Sequence, residues 1–342
     1  MILRYDVSGA EDGKSVYYIM RKKLRISDNL VRRLKRCDGI FVNGQREFTT
    51  KLLEAGDRVE IKVEEAEPEC DVVPEDGGDY GFPLEILYED EGFLVINKPA
   101  GVICHPSRAR YTGTELNFAA GYLKDKFGDG RCHAVNRLDR DTSGVLLVAR
   151  NSYMKALLSE ALQKDSARKE YIAVVYGGPG SAEGTIDLPI KRLREGDMMR
   201  GVAKDGQRAV TRFKVEGRGK LPSIYASCRQ MGDSAGECGE CSVSRNEDVA
   251  VLRLTLETGR THQIRVHCFH EGYPLLGDVL YYTDASKALS DSLGINAQML
   301  HAEKMVFESP WGDGLLEITA PVNRQDMADV IDAIKENVEN AG

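Results

Sequence analysis

Two stretches of this chain collect the residue types of a polar active site. Asn136-Arg137-Leu138-Asp139-Arg140-Asp141-Thr142-Ser143-Gly144 is polar at five of its first six positions and mixes carboxylates with guanidinium groups. The apolar run Val145-Leu146-Leu147-Val148-Ala149 follows at once. Leu138 and that run would tie the loop down against a sheet edge, and loops fixed by rigid elements are where catalytic groups usually sit. A surface turn laced with ion pairs is the plainer reading. The second stretch is Leu256-Glu257-Thr258-Gly259-Arg260-Thr261-His262-Gln263-Ile264-Arg265-Val266-His267. Here a strand ends at Gly259, and Thr261 can cap a short helix terminated by Gly272 and Pro274. Arg265 on that helix could reach back to a carboxylate.

Metal chemistry finds little support. His262, His267 and His270 do not share one helical face, and no acid stands between them in a zinc-site arrangement. Cys238-Gly239-Glu240-Cys241 and Cys228 lack the second pair, or the two histidines, of a structural zinc site. They read as part of a polar surface insertion, and no metal is expected.

The elements that must position these groups follow from hydrophobic periodicity. In a first module, at about 13–63, Ser15 can cap a helix bearing Val16, Ile19 and Met20. Ser27 can cap a second helix with Leu30, Val31 and Leu34 on one side and Arg32, Arg33, Lys35 and Arg36 on the other. Gly39 is expected to end that helix, and Ile40-Phe41-Val42-Asn43-Gly44 reads as a strand entering a tight turn. A closing strand reaches Ile61. Residues 64–82 read as an acidic, mobile linker. Residues 83–325 form the main domain, interrupted by an insertion at 218–248. Strands are expected at Phe93–Asn97, Val145–Ala149, Tyr171–Tyr176 and Leu252–Leu256, with a helix capped by Ser152. Residues 324–342 form a C-terminal helix and tail, with Met327, Val330, Ile331 and Ile334 facing the core. Strands and helices do not alternate regularly, so the pattern predicts an α+β fold around a mixed or antiparallel sheet.

The net charge of −8 argues at first against a nucleic-acid partner. Its distribution reverses that argument. Eight acids and no Lys or Arg lie between Glu64 and Phe82, equal to the whole deficit. Arg21–Arg36 carries eight cations against one acid, and Lys191–Lys214 eight against three. Such segregation is a footprint for phosphate contact. The first residues lack a signal-peptide pattern, no apolar run is long enough to span a bilayer, and eight scattered cysteines suit a reducing cytoplasm. A cytoplasmic protein with no membrane contact is expected.

Six motifs in order carry a family likeness. They are Tyr88-Glu89-Asp90-Glu91 leading to Val95-Ile96-Asn97-Lys98-Pro99-Ala100-Gly101 with His105-Pro106, then Arg137–Gly144, then Lys169-Glu170-Tyr171 through Gly177. Gly259–His267, Pro274-Leu275-Leu276-Gly277-Asp278 with Tyr281-Tyr282, and Leu300-His301-Ala302 complete the series. Over about residues 13–322 the chain resembles the RluA-type RNA pseudouridine synthases, and its first module resembles an S4-type RNA-binding domain. The resemblance implies a pseudouridine synthase fold that isomerises uridine in RNA without metal, redox step or cofactor. It implies Asp139 as the catalytic carboxylate, attacking C1′ or C6 or stabilising a glycal route. Arg265 would keep that carboxylate charged, and Tyr171 would stack on the target base and take part in proton transfer at C5. Arg137 would fill the space left by the flipped nucleotide, while Lys98, Arg140 and the 192–212 run would contact the RNA backbone. The S4-like module points to large-subunit ribosomal RNA more than to transfer RNA, and a monomer is expected. A catalytically silent ribosome-assembly factor on the same fold has no need of Asp139, Tyr171 and Arg265 together. A nucleoside hydrolase would need a second carboxylate or a metal. Two positions depart from the family pattern: Asn136 stands where His is usual, and the insertion is long.

Overall fold

Two serines start the helical hairpin of the N-terminal module. Ser15 accepts from the Tyr18 amide and opens α1 (Val16–Tyr18), which continues as a π-helical turn over Ile19–Lys23. Ser27 accepts from the Leu30 amide and opens α2 (Asp28–Leu34). Val16, Ile19, Met20, Leu30, Val31 and Leu34 are buried, while Arg32, Lys35 and Arg36 are exposed. Gly39 does not supply the left-handed turn after α2; Asp38 does, at φ 53°. Glycine is required at 39 for another reason, since a Cβ there would lie 2.6 Å from the Lys62 carbonyl oxygen.

The accompanying sheet is antiparallel, in the order β1 (Ile2–Asp6), β4 (Arg58–Lys62), β2 (Ile40–Val42), β3 (Gln45–Arg46). Asn43 and Gly44 close the β2–β3 hairpin with φ 52° and 79°, the positive pair that a two-residue hairpin turn demands. The module therefore begins at β1 rather than near residue 13. This edge strand escaped the periodicity because it buries little of its apolar surface.

The computed structural model describes residues 1–63, 84–106, 112–194, 196–221 and 247–339. The acidic 64–82 segment lies outside the described residues, as do Cys228, Cys238 and Cys241.

The main domain is built on a ten-stranded sheet. Its strands are β5 (Ile86–Glu89), β6 (Phe93–Lys98), β7 (His133–Ala134), β8 (Ser143–Ala149), β9 (Arg168–Tyr176), β10 (Glu183–Asp187), β13 (Val210–Leu221), β14 (Glu247–Leu256), β15 (Leu300–Glu308) and β16 (Leu315–Thr319). A separate hairpin joins β11 (Ile190–Arg192) and β12 (Arg200–Val202). The main order is β10-β13-β14-β9-β15-β8-β6-β5, with β16 beside β15 and β7 beside β8. Among the described pairings of named strands only β15 with β8 is parallel, so the sheet is mixed and the α+β expectation holds. The four expected strands are all present, three of them continuous apolar runs and the fourth, Leu252–Leu256, an alternating pattern with Arg253 and Thr255 half-buried. Both faces of the central strands are covered, which is why those runs are continuous rather than alternating. In β6, Phe93 and Val95 enter one core while Leu94 and Ile96 enter the other.

Helices α3 (Glu115–Phe127) and α5 (Gln263–His270) contribute to the second of these cores. Helix α4 (Ser152–Ala161) contributes to the first, where the N-terminal module adds its own apolar residues. Asn151 caps α4, accepting from the Met154 amide, so the cap lies one residue before Ser152. The module is tied to α4: the Tyr153 hydroxyl donates to the Leu24 carbonyl at 2.7 Å and Arg33 to Ser152 Oγ at 2.7 Å. After α6 (Asp284–Ser292), helix α7 (Gln325–Glu339) buries Met327, Val330, Ile331 and Ile334, as its spacing predicts. Strands β13 and β14 still pair at Leu221 and Glu247. Arg218 and Asp248 are thus strand residues, and the interruption between the two strands is narrower than 218–248.

Candidate active site

Asp139 sits in the loop between β7 and β8, held from several directions. Leu138 is buried below it, with its amide and carbonyl both hydrogen-bonded to the Cys104 thiol at 3.3 and 3.2 Å. The Arg140 carbonyl, next in sequence, accepts from the Gly101 amide at 3.0 Å and from Lys98 Nζ at 2.9 Å. At the far end Gln298 donates to Thr142 Oγ1, and Ser143 Oγ lies 2.8 Å from His301 Nδ1. Gly144, at φ 109°, lets β8 press against β15, where any Cβ would collide with the Ala302 carbonyl. The loop is fixed by packing, and the Asp139 side chain at its tip remains partly open, 26% exposed.

Arg265 projects from α5 and donates to Asp139 Oδ2 at 3.0 Å. It is itself clamped by Asp278 in a two-bond fork, Nε to Oδ2 at 2.7 Å and a terminal nitrogen to Oδ1 at 2.8 Å. Asp278 also accepts from the Leu280 and Tyr281 amides. Burial works against the Arg265 charge, but Asp278 and Asp139 outweigh it and hold its pKa above the ordinary value. A fixed cation thus faces the Asp139 carboxylate. Gln263 braces this end of the helix, its amide nitrogen donating to the Val210 carbonyl and Thr211 Oγ1 while its oxygen accepts from Thr258 and the Arg260 amide. Thr261 does not cap α5. The cap position is His262, in the left-handed conformation at φ 58° and without a side-chain capping bond. The three histidines diverge: His267 spends both ring nitrogens on Thr211 and the Leu188 carbonyl, His270 is exposed, and His262 enters the Asp139 pocket.

Tyr171, on β9, lines the same pocket, which opens into a groove of about 1140 Å³. Burial pushes its phenol pKa up, and the Asp139 charge adds to that shift. The hydroxyl therefore stays protonated at neutral pH and can donate a hydrogen bond or stack, which does not suit the proton-accepting role at C5. Arg137 is exposed at the lip of the groove, whose walls also carry Lys155, Arg192, Arg200 and Arg260. Arg140 is exposed but forked onto Asp141 at 2.9 Å per bond.

Lys98 must be removed from the RNA-contacting set. It is fully buried, and its ammonium donates to three carbonyls, those of Pro99, Val102 and Arg140. Its role is to hold the Asp139 loop. Arg33 likewise turns inward to Ser152, leaving Arg32 of α2 and Lys35 and Arg36 just after it exposed. Asp278 was missed as a site residue, because an acid after Leu-Leu-Gly reads as an ordinary turn. Asn136 finds an explanation: its oxygen accepts from the Leu147 amide at 2.7 Å and its nitrogen donates to the Val145 carbonyl at 3.1 Å. It extends the β-ladder with one donor and one acceptor, which is also the capacity of a neutral histidine.

The RNA pseudouridylate synthase family profile matches residues 92–270. The chain is 34% identical over 315 residues to the uncharacterized RNA pseudouridine synthase YhcT of Bacillus subtilis, covering 92% of each chain. It is 35% identical over 267 residues to the ribosomal large subunit pseudouridine synthase D of Vibrio parahaemolyticus, covering 76% of this chain and 73% of that one. Among solved structures, human RNA pseudouridylate synthase domain containing 1 superposes with a TM-score of 0.53 at 22% identity, covering 77% of this chain and 98% of that chain. At that identity the match speaks to the fold alone.

Proposed function

The chain belongs to the RNA pseudouridylate synthase family, and on that premise we propose that it modifies ribosomal RNA at defined uridines, using Asp139 on a nucleotide flipped out of its stack. The protein is an RNA pseudouridine synthase. The name of the Vibrio relative supports a large-subunit ribosomal target.

In the reaction the N1–C1′ bond breaks, a C5–C1′ bond forms, and the C5 proton is replaced by one at N1. Atoms balance without an oxidant or reductant. Asp139 is the nucleophile, at C1′ or at C6, and Arg265 pairs with it and fixes its position. Tyr171 stacks on the uracil while it turns, its hydroxyl remaining a donor. Extruding the base costs a few kcal/mol, which Arg137 offsets by stacking in the vacated space and bonding to phosphate. The observation that carries this reading is the chain Asp139–Arg265–Asp278, a carboxylate at a groove floor facing a cation that is itself pinned. Tritium release from RNA labelled at uridine C5 tests it. Release is expected from ribosomal RNA transcripts and not from transfer RNA; release from transfer RNA alone would overturn the substrate assignment.

A further inference from the structure

His262 is the one histidine of the second motif that faces the pocket. Its left-handed backbone is costly for a side chain of this kind, on the order of 1–3 kcal/mol, and such outliers persist only where surrounding contacts over-determine them. The contact here is Tyr281, buried and fixed: its hydroxyl oxygen accepts from the Arg200 amide at 2.8 Å and lies 2.9 Å from His262 Nδ1. The buried hydroxyl also has a hydrogen to place, and among the described residues Nδ1 is the acceptor within its reach, so the pairing that satisfies both groups has Tyr281 donating to Nδ1. Nδ1 is then an acceptor, so the imidazole carries its single proton on Nε2. Nε2 faces into the pocket, 3.9 Å from Asp139 Oδ2, beside Tyr171 and Arg265.

We propose that His262 is a further catalytic residue, a neutral imidazole whose Nε2–H donates to a uracil carbonyl oxygen as the base detaches from C1′. The inference rests on reading this pocket as the uracil site. A uracil leaving through N1 spreads negative charge onto its carbonyl oxygens, and a preorganised donor stabilises charge of that kind. Neutrality matters. An imidazolium here would pair with Asp139 and compete with Arg265 for the nucleophile. Burial favours the neutral ring; Asp139 and Asp278 oppose it, while Arg265 and Arg200 act with burial. No proton leaves His262 in this step.

Three substitutions and one spectroscopic readout test the assignment. His262→Asn keeps a residue that tolerates the left-handed backbone but is too short to reach the Nε2 position. It is expected to melt like wild type while kcat falls about 10²-fold, with KM little changed. His262→Gln, long enough to place an amide N–H near that point, is expected to recover about tenfold of that loss. Nitrogen-15 NMR of the wild-type protein should find His262 protonated at Nε2, a bias that Tyr281→Phe removes. Wild-type kcat in His262→Asn, or a proton on Nδ1 in the wild type, would overturn the proposal. Failure of the wild-type enzyme itself to release tritium from any RNA would instead overturn the reading of the pocket.

Discussion

Asp139 and Arg265 stand 126 positions apart, and their meeting was legible because each belongs to a dense polar motif. Asp278 was not legible, since nothing in the sequence distinguishes an acid that clamps a buried arginine from one that ends a turn. Lys98 was misread for the mirror reason: a lysine before Pro-Ala-Gly looks exposed, yet three carbonyls consume its donors. The clamp gives a graded prediction. Arg265→Ala leaves the Asp278 carboxylate buried without its cation and should cost about 3–5 kcal/mol of stability as well as activity. Arg265→Lys keeps the charge but cannot fork onto Asp278 while reaching Asp139. It should melt between Ala and wild type, measured by thermal denaturation, with tritium release still strongly reduced. For Tyr171 the proposed role is stacking on the base, with the phenol held protonated by burial. Tyr171→Phe should therefore retain clearly more single-turnover rate than Tyr171→Ala; equal losses would restore a proton-transfer role.

At the scale of elements, strand positions were readable from continuous apolar runs, whereas caps and ends slipped by a residue. Asn151 and Ser152 are equally good capping types, and only the backbone decides between them. The close approach of β8 to β15 was invisible in sequence, because no local pattern announces a parallel pairing between strands so far apart. It rests on Gly144. Gly144→Ala should shift the Asp139 loop and destabilise the fold, with a lowered thermal midpoint and lost activity together. Helix α3 offers a separate test. Its first residue, Glu115, is buried and has its pKa raised to about 7 by that burial, with Lys98 opposing. A folded value above the unfolded one means stability is lost as pH rises from about 4 through 7. Glu115→Gln should thus gain on the order of 1–3 kcal/mol above pH 7 and little at pH 5, less what the helix N-terminus loses with the charge. Denaturant midpoints at the two pH values measure it.

Across the whole molecule, a chain of net charge −8 offers RNA a basic groove because its acids are concentrated elsewhere in sequence. That segregation was legible from charge patterning; the docking of the N-terminal module on α4 was not, because it depends on single contacts such as Arg33 to Ser152 and Tyr153 to Leu24. Docking places the exposed Arg32, Lys35 and Arg36 on the same body as the active-site groove. If those cations meet phosphate, replacing all three with Gln should weaken RNA binding and flatten its salt dependence. The slope of log affinity against log salt should drop by about 2–3, with kcat at saturating RNA preserved. An unchanged slope would remove the module from the binding surface.

The most direct test of the account is tritium release by Asp139→Asn beside wild type, on the same C5-labelled ribosomal RNA and with RNA affinity measured in parallel. Asparagine keeps the size of the side chain and removes its charge and nucleophilicity. Release should fall on the order of 10³-fold or more while RNA affinity stays within a few-fold of wild type. Release at the wild-type rate by a folded Asp139→Asn protein would contradict the assignment of Asp139 at its root.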